Sequence, residues 1–144
     1  MEAVLFCGIQ ASGKTTFYVQ RFLKTHIRIS LDLLHTRNKE AKLLHFCLSL
    51  QQRFVVDNTN PTRKERYKYI EAAKAHKFKI IGYYFQTEVR AAIARNGQRK
   101  DKERIPIAGI RGTYKKLELP SYEEGFDALY HVEITRSGFE VKEW

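Results

Sequence analysis

Val4-Leu5-Phe6-Cys7-Gly8-Ile9-Gln10-Ala11-Ser12-Gly13-Lys14-Thr15-Thr16 stands almost at the start of the chain. Its first four residues form a continuous apolar run, the pattern of a strand buried on both faces. Gly8 to Thr15 fits Gly-x-x-x-x-Gly-Lys-Ser/Thr at every fixed position. From Gly13 to about Thr25 the apolar residues Phe17, Val19, Phe22 and Leu23 fall mostly at helical spacing. Strand, glycine-bounded loop and helix, in that order, are what a phosphate-binding loop requires. Glycines let the backbone wrap the anion, successive N–H groups form a nest, and the helix N-terminus adds positive partial charge. Gly8, Gln10, Ala11, Ser12, Gly13, Lys14, Thr15 and Thr16 are therefore the expected ATP-binding residues. Lys14 is expected to reach the β- and γ-phosphates, Thr15 to offer its hydroxyl to Mg²⁺, and Thr16 to donate to the α-phosphate.

Outward from this loop, short apolar runs alternate with helical patterns. Ile27-Arg28-Ile29 reads as a second strand, Phe54-Val55-Val56 as a third, Phe78 to Phe85 as a fourth and Tyr130 to Ile134 as a fifth. Helices are expected over Leu31–Gln52, with a break near Asn38, from Pro61 as first helical residue to about His76, and from Thr87 to about Asn96. The alternation predicts an α/β fold: a three-layer sandwich around a mostly parallel sheet of about five strands. Residues 1–144 are expected to form a single domain. Arg99-Lys100-Asp101-Lys102-Glu103-Arg104 is dense in charge, and the surrounding segment, about 96–118, is expected to be a lid or mobile stretch; an exposed charged loop is the plainer alternative.

The formal charge is +10, from 26 Lys and Arg against 16 Asp and Glu, which favours a polyanionic partner but also serves solubility. Cys7 and Cys47 are the only cysteines and have no ligand-like spacing, so neither a disulfide framework nor a zinc site is indicated. No run approaches the roughly eighteen apolar residues of a membrane span. A soluble, cytoplasmic protein without membrane association is expected.

Three further groups carry candidate chemistry. Asp32 follows the second strand at the sheet edge where ligands bind, and is the candidate general base for an attacking hydroxyl; helix capping is its alternative role. Asp57 follows the third strand and is the candidate metal-supporting carboxylate, although Asp57-Asn58-Thr59-Asn60 before Pro61 also suits plain turn chemistry. Arg95 and Arg99 stand four apart, on one side of the helix if it continues that far, and are candidate transition-state cations. Arg28, Arg37 and Lys39 near Asp32, with Arg63, Lys64, Arg66 and Lys68 after Pro61, are candidates for backbone phosphate contacts. Tyr83 and Tyr84 are read as packing residues.

These residues resemble the kinase domain of polynucleotide 5′-kinases, within the broader family of small P-loop kinases. The resemblance covers nearly the whole chain. It rests on the P-loop with Thr16, Ser30-Leu31-Asp32, Val56 to Pro61, Arg95-Asn96-x-x-Arg99, Ile105-Pro106 and Leu119 to Phe126, of which the Asp57 run and the Glu124-Gly125-Phe126 tail are the most discriminating. It implies a P-loop kinase sandwich in which Lys14 and Thr15 handle ATP and Mg²⁺, Asp32 activates the 5′-hydroxyl, and Arg99 with Arg95 belongs to the lid. Family members usually carry an acceptor-binding arginine three residues beyond the catalytic Asp. Here that position is His35, with Arg37 two further on. The implied acceptor is a nucleic-acid 5′-hydroxyl end, with any phosphatase or ligase step supplied by a separate partner. A small-molecule kinase acting on a sugar, nucleoside, antibiotic or cell-wall precursor would keep every ATP residue. A nucleotide-dependent nucleic-acid-binding module without catalysis is the third alternative.

Overall fold

The computed structural model describes residues 1–144. In chain order the elements are β1 (Glu2–Cys7), α1 (Lys14–Arg21), β2 (Ile27–Ile29), α2 (Leu31–Leu34), α3 (Arg37–Ser49), β3 (Phe54–Val56), α4 (Arg63–Ala75), β4 (Lys79–Phe85), α5 (Val89–Gly97), α6 (Ile107–Lys116), β5 (Ala128–Thr135) and β6 (Gly138–Glu143). They build one six-stranded sheet in the order β2-β3-β1-β4-β5-β6. The first five strands are parallel and β6 pairs antiparallel with β5. No helix is long and apolar enough to cross a membrane.

Because β1 is central, its side chains alternate between two cores. Ala3 and Leu5 join Phe54, Val56, Ile80, Leu48, Tyr69 and Ile70, under α3 and α4. Val4 and Phe6 join Phe17, Tyr18, Ile81, Phe85 and Val132, under α1. Helices thus cover both faces, which gives the expected three layers, and each buried aliphatic or aromatic side chain contributes about 1.5–3 kcal/mol. A third cluster, Ile9, Ala11, Ala92 and Ile110, packs α5 and α6 against the loop after β1. Tyr83 stacks on Tyr130 at 5.1 Å and Tyr84 meets Trp144 edge-on, so both pack as expected.

Several boundaries differ from the sequence expectations. β6 is an additional strand: Phe139 and Val141 alternate with Glu140 and Lys142, and the turn before it places Gly138 at φ 122°. α1 ends at Arg21 because Phe22 turns into the aromatic core beside Phe6 and Phe17. The break expected near Asn38 falls at His35-Thr36, where the Thr36 hydroxyl caps α3 by accepting the Lys39 N–H at 3.2 Å. Pro61 is not the first helical residue: Thr62 caps α4 through the Glu65 N–H at 3.2 Å. Within the expected 96–118 lid, Ile107–Lys116 is the helix α6, whose Ile110 is fully buried, while the charged run Arg99–Arg104 is a largely exposed loop before it.

Candidate functional site

β1 delivers Gly8 at its carboxyl end, beside the strands on either side of it. The loop turns through Ala11 at φ 58° and Gly13 at φ 92°, and only the second carries the residue best suited to that region. At Gly13 a Cβ would also lie 2.9 Å from the Phe139 ring, so the β5–β6 hairpin presses on the loop. The loop is fixed from both sides. The Gly8 N–H donates to the Thr59 carbonyl at 3.0 Å, and the Asn60 amide donates to the Phe6 carbonyl at 2.8 Å. Arg95 Nε donates to the Ala11 carbonyl at 2.6 Å, while Gln10 Nε2 donates to the Thr113 hydroxyl of α6 at 3.0 Å.

Lys14 opens α1 and is buried. Its ammonium donates to the carbonyls of Gly8 at 2.9 Å and Ile9 at 2.7 Å and to the Ser12 hydroxyl at 3.3 Å, so it rests on the loop it serves. Burial pushes its pKa down to about 8; Asp57 opposes the shift and Arg99 reinforces it. Thr15 donates its hydroxyl to Asp57 Oδ2 at 2.9 Å, and Arg28 Nε donates to the same oxygen at 2.8 Å. The Asp57 carboxylate is thereby nearly sealed from solvent.

A cleft of about 300 Å³ opens over this loop. It gathers Gln10 to Thr16 with Asp32, Arg37, Asp57, Asn58, Glu65 and Arg99. Asp32, the candidate base, stands exposed in the first turn of α2. Capping falls to Ser30, whose hydroxyl accepts the Asp32 N–H at 3.2 Å, which leaves the Asp32 carboxylate free of that task.

α2 is held by a buried carboxylate network. Asn58 Oδ1 accepts the Leu31 N–H at 2.9 Å, and Asn58 Nδ2 donates to Glu40 Oε2 at 2.8 Å. Glu40 also accepts from the Tyr69 hydroxyl at 2.7 Å and Arg37 at 3.0 Å. Burial alone would raise the Glu40 pKa, but the hydrogen bonds from Tyr69, Asn58 and Arg37 outweigh it and the net direction is down. Tyr69 moves the other way, well above its ordinary value, through burial and the adjacent Glu40.

Some expected groupings do not form. α5 ends at Gly97, so Arg95 and Arg99 part company: Arg99 lines the cleft, while Arg95 braces Ala11 and the Thr87 hydroxyl and faces a separate hollow. His35 is the left-handed carboxyl cap of α2 and does not line the cleft, whereas Arg37 does. Of the basic residues expected to form a nucleic-acid surface, Arg66 is fully buried and forks onto Glu124 at 2.8 and 3.1 Å. Arg28 is spent on Asp57, and Lys68 approaches Glu40 at 3.4 Å. The Glu124-Gly125-Phe126 tail is structural: Glu124 holds Arg66, and Phe126 packs against Gly82. Glu65 and Glu40 were not singled out from the sequence; only their placement one helical turn after a capping Thr gave a signal.

No three His, Cys, Asp or Glu side chains converge into a metal cage. The oxygen pair of Thr15 and Asp57 suits a hard cation that takes its remaining ligands from water and phosphate, as Mg²⁺ does. The donor set therefore fits Mg²⁺ brought by a nucleotide.

The central strand, the nest and the lysine at the head of α1 define a kinase-like P-loop domain. The chain belongs to the AAA domain family, whose model matches residues 4–119. It is 27% identical over 135 residues to a bifunctional polynucleotide phosphatase/kinase of Schizosaccharomyces pombe, a match covering 91% of this chain and 33% of that protein. The chain thus spans one third of the length of that curated relative. Among solved structures it is similar to Chaetomium thermophilum Kti12 in complex with ADP-AlF3, with TM-score 0.72, 18% identity and coverage of 94% of this chain and 92% of the other. A gluconokinase from Sinorhizobium meliloti 1021 gives TM-score 0.65 and 16% identity over 94% and 83% of the respective chains. At these identities the two structures speak for the fold alone.

Proposed function

We propose that this chain transfers the γ-phosphoryl group of ATP to the 5′-hydroxyl end of a nucleic acid, with Asp32 as general base. The observation that carries the reading is that Asp32 shares one cleft with the P-loop and Arg99 while standing on its exposed side. A polymer end needs such an open approach. The sequence likeness to a polynucleotide phosphatase/kinase across 91% of the chain supports the same acceptor.

In this reading the N–H groups of Gly8 to Thr15 and the Lys14 ammonium bind the triphosphate, and Lys14 exchanges its loop carbonyls for phosphate oxygens. Thr15 and Asp57 would hold Mg²⁺, which would neutralise charge on the phosphates. Asp32 accepts the proton of the attacking hydroxyl and aligns it with the γ-phosphate. Arg99 supplies positive charge to the transferring group, while Arg37 and, with rearrangement of α2, His35 meet the acceptor backbone. Residues 96–118 act as the lid, with movement confined to the 98–104 loop. That loop is pinned at its base, because the Asn96 amide donates to the Ile105 carbonyl at 2.6 Å and its Oδ1 accepts the Ile105 N–H at 2.8 Å.

The test is a competition among acceptors. With γ-labelled ATP and Mg²⁺ at low salt, label is expected on 5′-hydroxyl DNA or RNA oligonucleotides and not on the same oligonucleotides carrying a 5′-phosphate. Transfer to a sugar or nucleoside, with none to any oligonucleotide, would replace this reading by the small-molecule one.

A further inference from the structure

Arg28 does something at the metal pocket that the proposed chemistry does not require. It projects from the middle of edge strand β2, across β3, and reaches two oxygens at once. Its Nε donates to Asp57 Oδ2 at 2.8 Å and its Nη2 donates to Thr15 Oγ1 at 3.3 Å, while Thr15 donates to the same Oδ2 at 2.9 Å. The Arg28 side chain is 22% exposed and that of Asp57 2%, so the pair is poorly screened by solvent.

We infer that Arg28 is a built-in counter-cation of the metal pocket, one that competes with the divalent ion for Thr15 and Asp57 and keeps its intrinsic affinity low. This rests on the reading that the cleft takes a metal–nucleotide complex. Affinity for a hard cation follows the negative charge of its ligands, and the Thr15–Asp57 pair brings one carboxylate, which a guanidinium already neutralises. Arginine stays charged at any working pH, so its positive charge cannot be titrated away. A divalent ion at Thr15 must share that hydroxyl oxygen with the Arg28 donor, and share Asp57 with its guanidinium, beside a fixed positive charge. Nucleotide phosphates are then needed to tip the balance, and the pocket loads metal only together with nucleotide.

Three proteins separate the possibilities: the natural chain, Arg28→Gln, which keeps a donor without charge, and Arg28→Lys, which keeps the charge. ADP binding is followed by calorimetry across a Mg²⁺ series, and Mn²⁺ binding to the ADP complex by electron paramagnetic resonance. Arg28→Gln is expected to lower the half-saturating metal concentration at least tenfold, with Arg28→Lys within threefold of the natural chain. On the natural chain itself, the Arg28 Nε–H resonance is expected to shift when Mg²⁺ joins ADP and to stay in place with ADP alone, a readout that does not depend on any variant folding. Unchanged or weaker metal affinity in Arg28→Gln, or an Arg28 resonance indifferent to Mg²⁺, with ADP still bound, overturns the inference alone. ADP bound by none of the three at any metal concentration overturns the nucleotide reading and the inference with it.

Discussion

Arg66→Ala is expected to cost more stability than any surface substitution in the chain. The guanidinium is fully buried and donates to Glu124 at 2.8 and 3.1 Å, to the Asn60 carbonyl at 2.9 Å and to Cys7 Sγ at 3.4 Å. Truncation leaves the Glu124 carboxylate, 7% exposed, without its counter-charge. Breaking a buried pair from one side costs about 3–5 kcal/mol, because the remaining ion keeps its desolvation penalty. Unfolding entropy of about 2.1 cal/mol/K per residue converts this, for a chain this long, into a fall in Tm of about 10–17 °C. The damage also reaches the site, since Arg66 holds the Asn60 carbonyl and Asn60 holds the end of β1 at Phe6. Urea denaturation with far-UV circular dichroism, for Arg66→Ala, Glu124→Gln and Arg66→Met/Glu124→Gln, measures the effect. The double variant, with no ion left unpaired, is expected to recover at least half of the single-variant loss. An Arg66→Ala protein within about 1 kcal/mol of the natural chain, the range of an exposed pair, would refute the reasoning.

Nucleotide affinity should depend on pH through Lys14, whose folded pKa of about 8 lies below the unfolded value of 10.5. Between those values the unfolded chain holds the extra proton, so this group's contribution to stability rises with pH across that window, and its penalty is constant below it. ADP binding needs the charged form, so above the titration of the ligand's own phosphate affinity is expected to be level up to about pH 8 and to fall beyond it by up to about tenfold per pH unit, with proton uptake visible in calorimetry across buffers. Asn58→Ala should lower turnover at saturating ATP by about tenfold or more while the KM for ATP stays within about twofold, because it releases α2 without touching the P-loop; equal loss in both parameters in steady-state assays would contradict that division. Gly82→Ala should destabilise by about 1–3 kcal/mol in thermal melts, since its Cβ would lie 2.7 Å from the Phe126 ring and 3.0 Å from Leu129.

The parallel sheet was legible because each buried strand is a short apolar run and the P-loop announces the first strand and helix together. β6 was not, because Phe139 and Val141 are its only apolar residues and its pairing depends on β5 already being in place. α6 was masked by Gly109 and Gly112 and by the charges before it, although Ile107, Ile110 and Tyr114 keep helical spacing. At the site, the residues fixed by local motif, the loop from Gly8 to Thr16 and the strand exits at Asp32 and Asp57, could be read directly. Partnerships across the fold could not. Arg28 meets Asp57 across 29 residues and Arg66 meets Glu124 across 58, so charges that look like surface are consumed internally. Arg95 and Arg99 separate for a related reason: the helix stops two residues short of Arg99, so Arg99 lines the cleft while Arg95 braces the Ala11 carbonyl.

The most direct measurement is the single-turnover rate of label transfer from γ-labelled ATP to a 5′-hydroxyl oligonucleotide, compared for the natural chain and Asp32→Asn, with ATP affinity measured in parallel. The predicted result is a transfer rate lower by roughly 10²–10⁴ in the variant, the range for removal of a general base, with ATP affinity unchanged. Transfer by Asp32→Asn at the natural rate, or no transfer by the natural chain to any 5′-hydroxyl end, would contradict it.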